Sequence, residues 1–527
     1  MHSSGLLLTC LKPDAPLPPS PLKTSLASER GQPSGKVTGV STILGVLLLM
    51  GSFFLKFFRK KMTIDRIIFH RIIIYRIMFL NRKNELNFLN SSFQEDKKKL
   101  LIIYGRRRIG KTELIKQFIN KVGGIYHMVD TLSLSNFLNG FAEQAHNSGF
   151  MDLVPKLQTL DDFFGLIQHI ARTRKVIVAL DEFQRLTDID SEFIMGLQGW
   201  WDSISEGVPI TLILLGSSVG LIEKMALSHD SPIYGRRSGQ IHLRPLTYFE
   251  ALPFFSDREV RDKVSLYSVF GGTPSYLMVI DSGKTVLENI ETQILSKNSR
   301  LYEEPKFLLA EETREPLRYM DILSAIAQGS TTYSSIGNRV GISSSDLNKY
   351  LVNLSEGMDL VAKQYPVGRE RKRGEGRYYL SDNFLSFWYM FVRPYRDALE
   401  IGGPEPVSRI VKKELDRYVS RKFEDITLQH MLLKFGKDHS FTQIGRWWYK
   451  ELEIDGVAID ESDNTVYFME AKWTEKPLGR EVLNDLIRKS SEFRWANETR
   501  QERFVIYSRS GFSFADESVT LISLSEL

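Results

Sequence analysis

The chain has 527 residues, 42% of them hydrophobic and 25% charged, with a net charge of +5. That length and balance suit about three or four globular domains, and the mild positive bias permits nucleic-acid contact without demanding it. A single cysteine, Cys10, excludes an intrachain disulfide and a cysteine-based metal site, and fits a reducing, intracellular setting.

In chain order, residues 1–36 are rich in Ser, Pro and Gly and read as unstructured. Residues 37–55 carry no charge and are followed by Lys56, Arg59, Lys60 and Lys61. The run is long enough to cross a bilayer, and its basic flank would leave the rest of the chain in the cytoplasm. Residues 62–77 scatter Arg among Ile and fit no tidy soluble element. A misassigned start, with the true one at Met78 or Met62, competes with a membrane anchor and is the preferred reading. The expected location is cytoplasmic, with a membrane tether at 37–55 as the alternative.

An ATPase core is expected over 78–245. Asn81-Arg82 opens a short amphipathic helix with Leu86, Phe88 and Leu89 as apolar positions. Residues 101–104 read as a buried strand. Gly105, Arg106, Arg107, Arg108, Ile109, Gly110, Lys111 and Thr112 follow, which is G-x-x-x-x-G-K-T. The glycines let the backbone curl so that N–H groups face phosphate oxygens, and the helix that follows adds its positive end. Lys111 would hold the β- and γ-phosphates of ATP, and the Thr112 hydroxyl would ligate Mg²⁺. After a strand near 124–129 and helices near 133–147 and 158–172, residues 176–180 form an apolar strand ending in Asp181 and Glu182. This is a Walker B pattern, with Asp181 in the Mg²⁺ shell and Glu182 polarising the attacking water. The next apolar strand, 210–215, ends in Gly216-Ser217-Ser218; Ser217 or Ser218 is a candidate sensor of the γ-phosphate, a plain turn being the competing reading. Strands alternating with helices imply an α/β fold with a parallel sheet and its ligand at the strands' carboxyl ends.

With FLNRKNEL, IIYGRRRIGKTEL, VIVALDEFQ, LLGSS, SPIYGRRSGQIHLRPL and GGTPSYL, residues 78 to about 285 resemble the archaeal ATPase family, a branch of the STAND and AAA+-related P-loop NTPases. The resemblance implies an added central strand, Asn81 and Arg82 near the nucleotide base, and Pro274 of Gly272-Thr273-Pro274 packed on the adenine. It also implies a helical lid over 246–312. Tyr234-Gly235-Arg236-Arg237 is the basic motif past the sensor strand. Either Arg236 or Arg237 could reach the γ-phosphate, in cis or from a neighbour, or the pair could be plain surface arginines.

Residues 313–380 read as a winged helix-turn-helix: helices over 316–328, 332–340 and 343–356, then strands over 360–366 and 377–380. Between the strands, Arg371, Lys372 and Arg373 could press on DNA phosphates. The third helix has a single cation, Lys349, so protein contact competes with DNA binding. Residues 381–527 begin with an aromatic-rich core helix. A helix over 415–435 carries Glu424, and strands follow with Asp455 and then Glu470-x-Lys472. Alternate strand positions share a face, so Glu470 and Lys472 point the same way, and two carboxylates beside a lysine suit a Mg²⁺ nuclease. This arrangement resembles the PD-(D/E)XK nuclease fold and the domain of unknown function that accompanies archaeal ATPases; a surface-charged hairpin is the competing reading. The whole reads as an Mg²⁺-dependent ATPase that switches attached winged-helix and nuclease-like modules, with ATP and DNA as partners and self-association possible. A regulatory DNA-binding or protein-interaction switch with an inactive nuclease-like domain is the alternative.

Overall fold

The computed structural model describes residues 81–370 and 374–527. The membrane-length run at 37–55, the alternative starts at Met62 and Met78, and the basic tip Arg371, Lys372 and Arg373 lie outside the described residues. Among the described residues, no helix is long and apolar enough to cross a membrane. Helices of eight residues or more are numbered below.

The first layer alternates helices and strands. It comprises α1 (Lys83–Gln94), β1 (Lys99–Tyr104), α2 (Lys111–Val122), β2 (Ile125–Met128), α3 (Leu134–Asn147), α4 (Leu160–Thr173), β3 (Val176–Asp181), α5 (Phe193–Ser203), β4 (Ile210–Gly216) and β5 (Gly239–His242). The strands pair in the order β2-β3-β4-β1-β5, and every pairing is parallel. β3 and β4 are buried along their whole length, as strands covered on both faces must be, and this is why they read as unbroken apolar runs. β4 lies between β1 and β3, the added central strand that the family resemblance implies. The register sets Tyr104 opposite Gly216 and Asp181 opposite Leu215. The ends of β1, β3 and β4 therefore lie level at one edge of the sheet. Helix starts follow local chemistry: Thr159 caps α4 and Asp162 returns a bond to the Thr159 N–H, a reciprocal capping box.

Beyond β5 the chain is helical: α6 (Val260–Phe270), α7 (Glu304–Glu312), α8 (Pro316–Ala327), α9 (Tyr333–Val340) and α10 (Ser344–Val352). An antiparallel hairpin follows, β6 (Val361–Gln364) with β7 (Arg377–Leu380). α11 (Asn383–Phe391) is the expected aromatic core helix, with Phe384, Phe387, Trp388, Tyr389 and Phe391 all buried. α12 (Glu405–Phe435) starts ten residues before the expected 415. Pro406 in its first turn fits a helix start, where no backbone N–H is needed, so Gly402-Gly403-Pro404 ends one helix and admits the next.

The last sheet has β8 (Gln443–Tyr449), β9 (Leu452–Asp460), β10 (Thr465–Lys472), α13 (Glu481–Ser490), β11 (Gln501–Ser508) and β12 (Val519–Ser523), in the order β12-β11-β10-β9-β8. The β8–β9–β10 part is antiparallel and the β10–β11–β12 part parallel. One apolar cluster runs from Leu246 through α8, α10, α11 and α12 to Ile522. The expected boundaries at 312/313 and 380/381 thus fall inside a shared core.

Candidate functional site

At the end of β1 the loop turns at Gly105 (φ 146°) and Gly110 (φ 95°). Gly105 is required by space as well: a Cβ there would lie 2.2 Å from the Leu243 carbonyl oxygen. Lys111 at the start of α2 donates from Nζ to the Gly105 carbonyl at 2.7 Å and the Arg106 carbonyl at 2.9 Å, so the ammonium lies across the mouth of the loop. Burial pulls its pKa down to about 8, against the upward pull of Glu182 and Asp181. The Thr112 hydroxyl donates to Asp181 Oδ2 at 2.6 Å, and the Tyr126 phenol donates to the same oxygen at 2.8 Å. Glu182 takes a left-handed backbone, φ 55°, which swings its side chain across the sheet edge. There the Ser217 hydroxyl donates to Glu182 Oε2 at 2.7 Å, and the Gln184 amide donates to the same oxygen. Lys111, Thr112, Asp181, Glu182 and Ser217 thus converge at the carboxyl ends of three neighbouring strands.

The three loop arginines point outward. Arg106 Nη2 donates to Asp382 Oδ2 at 2.7 Å, and both side chains are buried. Arg107 pairs with Glu311 at 2.6 Å, and Arg108 with Glu304. Asp382 Oδ2 also accepts from the Thr273 hydroxyl at 3.0 Å, while Oδ1 caps α11 through the N–H groups of Phe384 and Leu385. One carboxylate therefore joins the phosphate-loop motif, the Gly272-Thr273-Pro274 motif and the first turn of α11.

In the last sheet, Asp455 on β9 and Glu470 and Lys472 on β10 meet. Lys472 Nζ lies 2.5 Å from Glu470 Oε1 and 3.6 Å from Asp455 Oδ2, and the Ala471 N–H donates to Asp455 Oδ2 at 2.9 Å. Lys489 of α13 adds a second ammonium 3.1 Å from Glu470 Oε1. Glu424 is bound by Arg446 at 3.0 Å. Burial, then the charge of Asp455, raises the pKa values of both Glu424 and Glu470. Glu470 Oε2 is buried without a hydrogen-bond partner. Carboxylates crowded in this way, with one oxygen unsatisfied, suit a hard divalent cation, which would reverse the repulsion.

Residues 79–280 match an ATPase domain predominantly from Archaea, and residues 388–485 match a family of archaeal and bacterial proteins of unknown function. An uncharacterized protein of Methanocaldococcus jannaschii is 31% identical over 428 residues, which is 78% of this chain and 92% of that protein. The chain belongs to this archaeal ATPase family. An uncharacterized ATP-binding protein of the same organism is 58% identical over 43 residues, 8% of this chain and 73% of that protein. The Walker-type ATPase of Pyrococcus abyssi aligns in three dimensions with a TM-score of 0.47 and 22% identity, over 59% of this chain and 95% of that one.

In this archaeal ATPase the other expected site residues are placed as follows. Arg82 is buried, with Nη2 donating to the Arg244 carbonyl at 2.7 Å and to the Ile109 carbonyl at 3.4 Å. It braces the phosphate loop against the segment after β5. The Asn81 amide donates to the Glu250 carbonyl. Pro274 is buried as the first residue of a short helix, and the Leu246 N–H to the Gly272 carbonyl (2.8 Å) holds its motif beside the same segment.

The expectation that Arg236 or Arg237 reaches the γ-phosphate of its own chain needs correction. Both precede β5, whose first residue, Gly239, sits opposite Leu101. Arg237 lies six residues before Leu243, the neighbour of Gly105, so it is about 20 Å from the loop at strand spacing. A guanidinium cannot span that gap. Arg236 instead donates from Nε and Nη2 to the Asp202 carboxylate, both at 2.8 Å, and Arg237 donates to the Leu227 carbonyl at 3.2 Å.

Sequence reading missed Gln184, Tyr126, Lys489 and Asp382. Gln184 was findable, since it stands two residues after Glu182 in the D-E-F-Q string. The others carry no local signal: Asp382 is 276 residues from the arginine it binds.

Proposed function

We propose that the chain binds ATP with Mg²⁺, hydrolyses it, and passes its nucleotide state to a C-terminal module that acts on DNA. Lys111 holds the β- and γ-phosphates, and backbone N–H groups between Gly105 and Gly110 cradle them. Glu182 takes the proton of a water whose oxygen bonds to the γ-phosphorus as the bond to the bridging oxygen breaks and ADP leaves. Ser217 senses the γ-phosphate through the carboxylate it already touches. Hard oxygens of Thr112 and Asp181 converge at 2.6 Å and fit Mg²⁺, which would neutralise charge on the phosphates. Asn81, Arg82 and Pro274 frame the base side.

The observation that carries the coupling is the outward pairing of the loop arginines with Asp382, Glu311 and Glu304. Phosphates arriving in the loop compete with these carboxylates for the same guanidinium groups, so occupancy alters the attachment of α7 and α11. Arg236 and Arg237, at the far edge of the sheet, could meet a γ-phosphate only across an interface with a second copy. The winged-helix reading of α8 to β7 and the basic sequence Arg371-Lys372-Arg373 between β6 and β7 support DNA as partner. The unsatisfied Glu470 oxygen favours a metal-binding nuclease-like centre at Asp455, Glu470 and Lys472 over a purely structural hairpin.

The core is tested by single substitutions. Lys111→Ala abolishes ATP binding. Glu182→Gln keeps binding and lowers hydrolysis by about 10²-fold or more. Normal turnover in purified Glu182→Gln protein sinks the assignment of the base.

A further inference from the structure

Asp455 and Glu470 open onto a cleft of about 890 Å³, walled by parts of the chain far apart in sequence. Arg244 contributes from the segment after β5, Tyr379 from β7 and Arg421 from α12. Most cations in the cleft are engaged: Arg377 with Glu453 at 3.2 Å, Arg446 with Glu424 and Asp425 at 3.0 Å each, and Lys489 with Glu470 at 3.1 Å. Arg244 and Arg421 differ. Both are exposed, both line the cleft, and among the described residues neither guanidinium forms an ion pair. The half-buried Tyr379 ring carries the Arg446 guanidinium 5.6 Å from its centre, a stack that a base can extend.

Size selects among nucleic acids. At about 890 Å³ the cleft lies in the range of sites that take small ligands, which a few unpaired nucleotides match and a whole duplex exceeds. Unpaired strands are held by phosphate-binding cations and by bases stacked on aromatic rings, and the cleft supplies both.

We propose that this cleft binds single-stranded nucleic acid, with Arg244 and Arg421 on backbone phosphates and Tyr379 under a base. It rests on the nuclease-like reading of Asp455 and Glu470 only for what happens to the strand afterwards. The Arg244 carbonyl accepts from Arg82, which also reaches the Ile109 carbonyl, so one phosphate-holding residue is tied to the ATP loop.

The test is fluorescence anisotropy on the full chain in Ca²⁺, with a labelled strand of about 12 nucleotides, as DNA and as RNA, against the matching duplex. One of the single strands binds at least about tenfold tighter than the duplex, and the Arg244→Glu/Arg421→Glu variant loses about tenfold or more of that affinity. The milder Arg244→Gln/Arg421→Gln variant loses part of it, with circular dichroism checking the fold of both. Equal or tighter duplex binding, or single-strand binding unmoved by charge reversal, overturns the proposal. Cleavage in Mg²⁺ is read separately, with Asp455→Ala as the control. Single-strand binding without cleavage keeps this inference and sinks the nuclease reading; Asp455-dependent cleavage with duplex preference does the reverse.

Discussion

Glu182 shows how one backbone angle builds a site. A non-glycine residue at φ 55° is costly by about 1 kcal/mol or more, and it persists because the angle brings the carboxylate to Ser217 and Gln184. Its neighbour Asp181 is fixed just as firmly by two hydroxyl donors, from Thr112 and Tyr126. Burial and the Asp181 charge raise the Tyr126 phenol, so it remains a donor across the working pH range. A second, half-buried ring of β2 gives a pH dependence. His127 packs edge-on to Phe137 and Phe141, and burial lowers its pKa to about 4, against a weaker upward pull from Asp130. The unfolded chain, with a histidine near 6.5, therefore binds more protons between about pH 6.5 and 4. Stability from this residue is complete above 6.5 and lost as pH falls towards 4, by on the order of 3 kcal/mol. Thermal midpoints of the wild type should fall across that window more steeply than those of His127→Leu; parallel curves would remove His127 as the cause. Lys111, Thr112, Asp181 and Glu182 were legible because phosphate and metal chemistry needs those residue types at fixed local spacing. His127 was not, because nothing local distinguishes a core histidine from a surface one.

At the level of elements, the phosphate loop is joined to α11 by a buried ion pair, Arg106 to Asp382. Buried pairs add little net stability, but breaking one strands a charge, at a cost of about 3–5 kcal/mol. Asp382 also caps α11, and an oxygen at that position is worth about 1 kcal/mol. Asp382→Ala should therefore lower the unfolding midpoint sharply, while Asp382→Leu with Arg106→Met recovers much of the loss, measured by differential scanning calorimetry. Asp382→Asn keeps a capping oxygen and releases Arg106. ATP should then bind roughly three- to tenfold tighter by titration calorimetry, since the freed guanidinium can turn from α11 towards the phosphates without a competing carboxylate. Unchanged ATP affinity in Asp382→Asn would end the coupling argument. The elements themselves were largely readable from the chain: β1, β3 and β4 as unbroken apolar runs, and α11 as an aromatic run. The start of α12 is hidden in the sequence because Gly402-Gly403-Pro404 looks like a long break, whereas Pro406 is compatible with a helix that begins at once.

At the scale of the whole molecule, the modules do not hold separate cores. The apolar cluster spans Leu246 to Ile522 and includes α11, with Trp388 Nε1 donating to the Tyr302 carbonyl at 2.8 Å and the Phe384 ring tilted against Tyr276 at 4.7 Å. A cut after Leu380 would expose that surface on both pieces. Fragments 81–380 and 381–527 should each be insoluble alone and form one complex when co-expressed, as read by size-exclusion chromatography. Two independently soluble monomeric fragments would show that the shared core is dispensable. The same packing brings Arg244, Tyr379 and Arg421 around the carboxylates of the last sheet, although they lie on three different elements.

By itself the sequence determined the phosphate loop, the Walker B pair, the class of the sheet and the Asp455, Glu470 and Lys472 set. Each depends on residues close together in the chain or on the two-residue period of a strand, so the physics that selects them acts over a few positions. Only the tertiary structure decided where the three loop arginines point, that Arg236 and Arg237 stand at the wrong edge of the sheet to serve their own loop, and that Asp455 and Glu470 face a cleft walled in part by the segment after β5. Those outcomes turn on which distant elements share a core. Apolar burial is non-directional, so a pattern of buried residues says which face is covered and not by what.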